Sequence, residues 1–210
     1  EVLKHPVRIH GSGRTDAGVH ALGQVFHFDA AWGHSAAKLR TALRVGLPAT
    51  IQIKRVTTVS PDFHARFSAK GKRYSYRIYE GIADPFTHPF VLCRERPERL
   101  NVPAMRAAAA ILIGRHDFRG FAADNGTELE NPVRELTRLE IQVKGRTVKI
   151  VFEANGFLYK MVRSLTGALI AVGESRLAME ELGQILRAGR RTEVVETVPP
   201  QGLFLEKVFY

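Results

Sequence analysis

The sequence is poor in cysteine: Cys93 is the only one among 210 residues. One thiol can neither form an internal disulfide nor build a thiolate zinc site, which points to a reducing compartment and removes the commonest structural metal. Long apolar runs are missing as well. None approaches the roughly 18 residues a membrane span needs, and no charged-then-apolar leader precedes the first motif. Neither membrane insertion nor secretion is supported, and the cytoplasm is the expected location. Acidic residues are also short, with 21 Asp and Glu against 31 Lys and Arg, a formal charge of +10. That balance favours a polyanionic partner such as nucleic acid, although many basic proteins merely carry a solvated surface. What is present, 45% hydrophobic and 25% charged residues, suffices to bury a core as one large domain or two small ones.

The pattern along the chain alternates short strands with single helices. Leu22, Gln24, Phe26 and Phe28 alternate with Ala21, Gly23, Val25 and His27, predicting a strand that leaves the glycine-rich segment Gly11 to His20. Ser35 is a candidate cap for a helix through Leu39 and Leu43, stopped by Gly46 and Pro48. Ile51, Ile53 and Val56 to Val59 predict another strand, and the break from Ser60 to Lys70 is the expected domain boundary. A strand over 72–79 places Tyr74, Tyr76 and Ile78 on one face and Arg73, Ser75, Arg77 and Tyr79 on the other. A helix follows Asn101 and Pro103 and ends at Gly114. Val133 to Lys144 and Thr147 to Ala154 read as a hairpin turning at Gly145. Residues 157–172 predict an amphipathic helix, 176–188 a shorter one, and Leu203 to Tyr210 a last strand. Antiparallel strands joined by turns or single helices argue for an α+β protein.

Each candidate site has a plain structural reading beside a functional one. Glycines at 11, 13 and 18 could hold Asp16 on a rigid loop aimed into a cleft, or Asp16 could be an ordinary turn residue. The same glycines lack the Lys-Ser or Lys-Thr pair of a P-loop and the third glycine of GxGxxG, which disfavours nucleotide hydrolysis. Ser12 sits between glycines without the GxSxG pattern of a hydrolase elbow. His10, His20, His27 and His34 fall on different expected elements and form no HExxH, so surface or structural histidine is the better reading and no metal site is assigned. Tyr74 and Tyr76 offer faces for stacking a base, with Arg66, Lys70, Lys72, Arg73 and Arg77 placed for phosphates. Core packing with solvated charges explains the same residues. Arg163, inside an apolar helix, either reaches the surface or pairs with a buried carboxylate.

Five blocks taken together resemble the tRNA pseudouridine synthase A (TruA-like) family: Ser12-Gly-Arg-Thr-Asp-Ala-Gly-Val-His-Ala21; Phe63-His-Ala-Arg-Phe-Ser68 with Lys72-Arg-Tyr-Ser-Tyr76; Gly114-Arg-His-Asp-Phe118; Gly156-Phe-Leu-Tyr-Lys-Met-Val-Arg163; and Pro199-Pro-Gln-Gly-Leu203. They come in the family's order. The resemblance implies a pseudouridine synthase fold, two ferredoxin-like halves with antiparallel sheets around a central cleft, here 1–66 with the Asp16 loop and 67–210. It implies a homodimeric isomerase that uses neither cofactor nor metal, cleaves the N1 glycosidic bond of a uridine in the tRNA anticodon stem-loop, turns the base and rejoins it through C5. By the same resemblance Asp16 is the nucleophile or base, and Arg163 its basic partner, which holds the carboxylate ionised and oriented. Arg14 helps hold the flipped nucleotide, Tyr74 stacks on the target base, and Leu203 packs against it. Family members carry a strand and a helix before this loop, whereas only Glu1 to His10 precede it here. The expectation is therefore a fragment or a reduced first half, and the rival reading is a tRNA-binding fragment with impaired catalysis. A small hydrolase using Ser12 is a third.

Overall fold

The computed structural model describes residues 2–3, 5–124, 126 and 129–210. The chain forms two compact units, one made of Glu1–Gly13 and Val25–Ala69, the other of Arg14–Gln24 and Lys70–Tyr210. The Asp16 segment thus packs with the later part of the chain.

In the first unit, β1 (His10–Gly11) pairs antiparallel with β3 (Phe26–His27), His10 opposite His27, and β2 (His20–Ala21) belongs to the second unit. Helix α1 (Ala36–Arg44) starts where expected, with the Ser35 hydroxyl accepting the Lys38 N–H at 3.4 Å and Leu39 buried. Two strand expectations are corrected. Alternation over 21–28 does not give one strand, because the Leu22 and Gly23 N–H groups both turn to the Leu205 carbonyl at 2.8 and 3.2 Å before the chain enters the other unit. Residues 51–59 form no strand despite their alternation. Alternation makes a segment fit for a sheet, but a ladder partner decides whether it becomes a strand.

Among the described residues the second unit carries a seven-stranded sheet. Its strands, besides β2, are β4 (Gly71–Glu80), β5 (Leu92–Arg94), β6 (Gly114–Asp117), β7 (Val133–Lys144), β8 (Thr147–Ala154) and β9 (Leu203–Phe209). The order β2-β9-β4-β8-β7-β6 is antiparallel except between β2 and β9, and β5 runs parallel to the end of β4. This antiparallel-dominated arrangement with segregated helices is α+β, as expected. The β7–β8 hairpin turns at Gly145, whose φ of +60 suits the first residue of a two-residue turn.

Helix α2 (Val102–Leu112) is capped by the Asn101 side chain, which accepts the Ala104 N–H at 3.0 Å. It packs on β7 and on α3 (Met161–Gly173), which meets β4. The expected helix from 157 begins only at Met161, since Lys160 has a φ of +55, which a right-handed helix cannot continue through. Nor is α3 amphipathic. Every residue from Met161 to Gly173 except Arg163 is buried, so the helix is apolar all round with one charge left in it. Helix α4 (Met179–Ala188) ends at Gly189 and buries Leu182, Ile185 and Leu186. Among the described residues no helix is long and apolar enough to cross a membrane.

Candidate active site

The site is assembled on three elements of the second unit. Its first part is the loop after Gly13, where the Asp16 carbonyl accepts the Val19 N–H at 3.1 Å and closes a turn. Gly18 makes that turn with a φ of +80, and a Cβ there would lie 2.9 Å from Pro200 Cγ. Glycine is therefore required twice, for backbone conformation and for contact with the turn Pro200–Gly202 that leads into β9.

The second part is Arg163 on α3. Its Nε donates to the Val198 carbonyl at 2.7 Å and its Nη1 to Asp16 Oδ2 at 2.8 Å. The Arg163 side chain is 11% exposed and that of Asp16 26%. Those fractions decide what the pair can do: the guanidinium is largely shielded from water, which strengthens a charge-assisted bond, while the carboxylate stays open to a ligand.

Tyr74 on β4 is the third part. Its ring meets Phe157 edge to face at 5.2 Å between centroids. Burial first, and the Asp16 carboxylate second, push its phenol up to about 12, so it is neutral and a hydrogen-bond donor at physiological pH. Two residues on, Tyr76 is fully buried and its hydroxyl donates to the Pro199 carbonyl at 2.7 Å. Burial raises the Tyr76 phenol far above its ordinary value, against a smaller lowering by Arg163. Leu203 lies opposite Tyr76 in the β4–β9 ladder and is buried. Between Arg73 and Tyr74 the ladder slips by one residue, a bulge of the kind that re-aims side chains beside functional sites.

Of the residues expected from sequence, Asp16 and Arg163 are in direct contact, Tyr74 feels the Asp16 charge, and Leu203 lies in the strand beside Tyr74. Arg14 is exposed. Tyr76, read from sequence with Tyr74 as a stacking face, is instead fully buried and holds the Pro199 carbonyl, and sequence reasoning missed the Val198 and Pro199 carbonyls. The basic face of β4 is partly engaged within the protein. Arg73 and Arg138 both bind Glu153, Arg138 also pairs with Glu140, and the Arg77 guanidinium sits 3.9 Å from the centre of the Phe204 ring. Ser12 is completely buried, which removes it as an accessible nucleophile. Asp117 ends β6, its Oδ1 accepting the Arg119 N–H at 2.8 Å. Among the described residues no cluster of His, Cys, Asp and Glu is arranged to hold a metal.

A carboxylate held by a shielded arginine next to a neutral phenol is an arrangement suited to nucleophilic or general-base chemistry on a polar ring. A family model described as tRNA pseudouridine synthase matches residues 1–68 and 108–210. The chain is 42% identical over 210 residues to the tRNA pseudouridine synthase A 1 of Protochlamydia amoebophila, covering 99% of this chain and 81% of that protein. It is 43% identical over 206 residues to the tRNA pseudouridine synthase A of Lysinibacillus sphaericus, covering 97% and 82%. With the enzyme of that name from Staphylococcus saprophyticus it shares 40% over 210 residues, covering 98% and 76%. The chain belongs to the tRNA pseudouridine synthase family, whose members are isomerases that convert uridine to pseudouridine.

Proposed function

We propose that this protein isomerises uridine to pseudouridine in the anticodon stem-loop of tRNA, with Asp16 as the catalytic carboxylate. The observation that carries the reading is the 2.8 Å bond between Asp16 Oδ2 and Arg163 Nη1 beside Tyr74. The reaction conserves every atom. The N1–C1′ bond breaks, a C5–C1′ bond forms, and the proton lost from C5 is balanced by one gained at N1, so neither an electron donor nor a group donor is required.

A uridine in a folded arm has to be unstacked before its glycosidic bond is reached. Tyr74 offsets part of that cost by stacking on the base, Leu203 packs against it, and Arg14, exposed two residues before Asp16, holds the flipped nucleotide. Asp16 then attacks the uridine or abstracts a ribose proton, with Arg163 keeping the carboxylate aimed through the whole step. The division into halves, 1–66 contributing Arg14 and Asp16 and 67–210 contributing Tyr74, Arg163 and Leu203, belongs to this reading. So do a cytoplasmic location and a homodimer, the latter checked by light scattering of the eluted protein.

Single-turnover pseudouridine formation on unmodified tRNA, mapped by position, tests the proposal. Wild type is expected to form product in the anticodon arm. Asp16→Asn is expected to form none while binding tRNA nearly as tightly, because one carboxylate contributes little to a surface dominated by phosphate contacts. Turnover by Asp16→Asn would remove Asp16 from its role. Tight binding without product by either protein would favour the binding fragment.

A further inference from the structure

Arg163 does not stand alone. The carbonyl that fixes its Nε belongs to Val198, in an irregular segment between α4 and β9 with no regular secondary structure to hold it. Val195 and Val198 are buried and anchor this segment by their side chains. Between them the backbone lies directly on α3: a Cβ built on Gly167 would come within 2.1 Å of the Glu196 carbonyl oxygen. Apolar anchors set how deep the segment sits but allow it to slide, whereas directional bonds set its register.

On the Val198 side of the Tyr76–Pro199 bond, Arg191 supplies them. Its Nη1 donates to Ser164 Oγ at 2.9 Å and to the Ala122 carbonyl at 3.3 Å, and its Nη2 donates to Thr197 Oγ1 at 2.8 Å and to the Val195 carbonyl. Ser164 Oγ and Thr197 Oγ1 lie 3.1 Å apart, closing a three-membered polar lock. Ser164 is the neighbour of Arg163 on the helix, and Thr197 is the neighbour of Val198 on the segment. The lock therefore ties together the two backbones whose separation sets the Arg163 Nε bond. All four oxygens that Arg191 reaches are neutral, so its planar fork is used for geometry and not to neutralise a carboxylate.

We propose that Arg191 is a positioning residue for the Asp16–Arg163 pair, acting through the 195–198 segment. Without it the Val198 carbonyl drifts, the Arg163 guanidinium loses one of its two fixed directions, and Asp16 is no longer aimed. This inference rests on the reading of Asp16 as the catalytic carboxylate.

The test compares wild type, Arg191→Gln, Arg191→Lys and Thr197→Val in pseudouridine formation on unmodified tRNA, measuring kcat, KM, the salt dependence of KM and the number of tRNA sites per chain. Both Arg191 variants are expected to lose about 10- to 100-fold in kcat, the scale of a small misplacement at a reacting centre. KM, its salt dependence and the site count are expected to stay at the wild-type values, which separates misalignment from partial unfolding. Lysine keeps the charge but not the fork, so it should fail to rescue. Thr197→Val should lower kcat in the same direction, and it keeps the test open if the Arg191 variants do not fold. Unchanged kcat in Thr197→Val or in either Arg191 variant overturns the proposal. So does a raised, less salt-dependent KM that Arg191→Lys restores, since that pattern marks a phosphate contact. Absence of product from wild type itself would instead overturn the functional reading.

Discussion

Asp16 and Arg163 differ in burial, and the difference suits a working carboxylate. An arginine whose Nε is committed to a backbone carbonyl has one rotational freedom less, so its remaining donors form a fixed platform. Tyr74 completes the site as a neutral ring whose hydroxyl stays protonated across the physiological range. Replacing Tyr74 by Phe is expected to preserve stacking, whereas Tyr74→Leu should weaken binding of the flipped uridine by about 1–3 kcal/mol, by analogy with other base–aromatic contacts. Affinity for an anticodon stem-loop whose target uridine is already unpaired measures this directly. Equal affinities of the Phe and Leu variants would mean that the ring does not stack. Gly18 also leaves no room for a side chain. Gly18→Ala places a Cβ against Pro200 in a left-handed conformation, and the turnover number is expected to fall with the fold retained, as read by circular dichroism.

At the level of elements, α3 explains why a single charge can be kept in so apolar an environment. Its neighbours on every side are packed, and Gly167 lets the 195–198 backbone come close enough for a carbonyl to meet Arg163. Gly167→Ala has to push backbone away from backbone. Overpacking of this kind costs about 1–3 kcal/mol, and a melting point lower by about 2–4 °C per kcal/mol is expected for a chain of this size. An unshifted thermal melt would show that the segment yields without strain.

Elements that carry their own ends were legible in the sequence: the Ser35 and Asn101 caps, the Gly145 turn and the alternation of β4 all lie where the residues put them. The two strand failures share one cause. Residues 51–59 and 21–28 look like strands, but whether a segment pairs is decided by distant chain, which local pattern does not contain. The site divides in the same way. Asp16 and Arg163, 147 residues apart, were linked only by family resemblance. Arg191 and the Val198 carbonyl escaped notice because an irregular segment held by backbone oxygens leaves no motif.

For the whole molecule, charge and pH matter most. A formal charge of +10 suits a polyanionic substrate, and part of the positive side-chain surface is already spent on Glu153, Glu140 and Phe204. The first unit contains a group of stacked and edge-on imidazoles, His10, His27 and His64, with centroids 4.7 to 5.4 Å apart. His27 Nδ1 accepts the Ala65 N–H at 3.1 Å, and His64 Nδ1 accepts those of Arg66 and Phe67. Desolvation, then His27, His10 and Arg66, hold the His64 pKa below its ordinary 6.5. The unfolded chain therefore takes up this proton more readily than the folded one. The contribution of His64 is fully present above 6.5 and is lost as pH falls towards the lowered folded value. The melting temperature is expected to drop on mild acidification, above the range where carboxylates titrate, and His64→Gln should flatten that slope. A slope identical in the two proteins would remove His64 as its source.

The strand order also fixes when the Asp16–Arg163 pair can form. Strand β9 lies inside the sheet, between β2 and β4, yet it comes after the other described strands in the sequence. During synthesis the emerging chain can form its hairpin and helices early, while the turn that seats Gly18 and the carbonyls that hold Arg163 and Tyr76 come from residues 198–202. The Asp16–Arg163 pair is thus among the last features to close. A nascent chain on the ribosome therefore carries Asp16 unaimed until residues 198–202 have emerged and folded back.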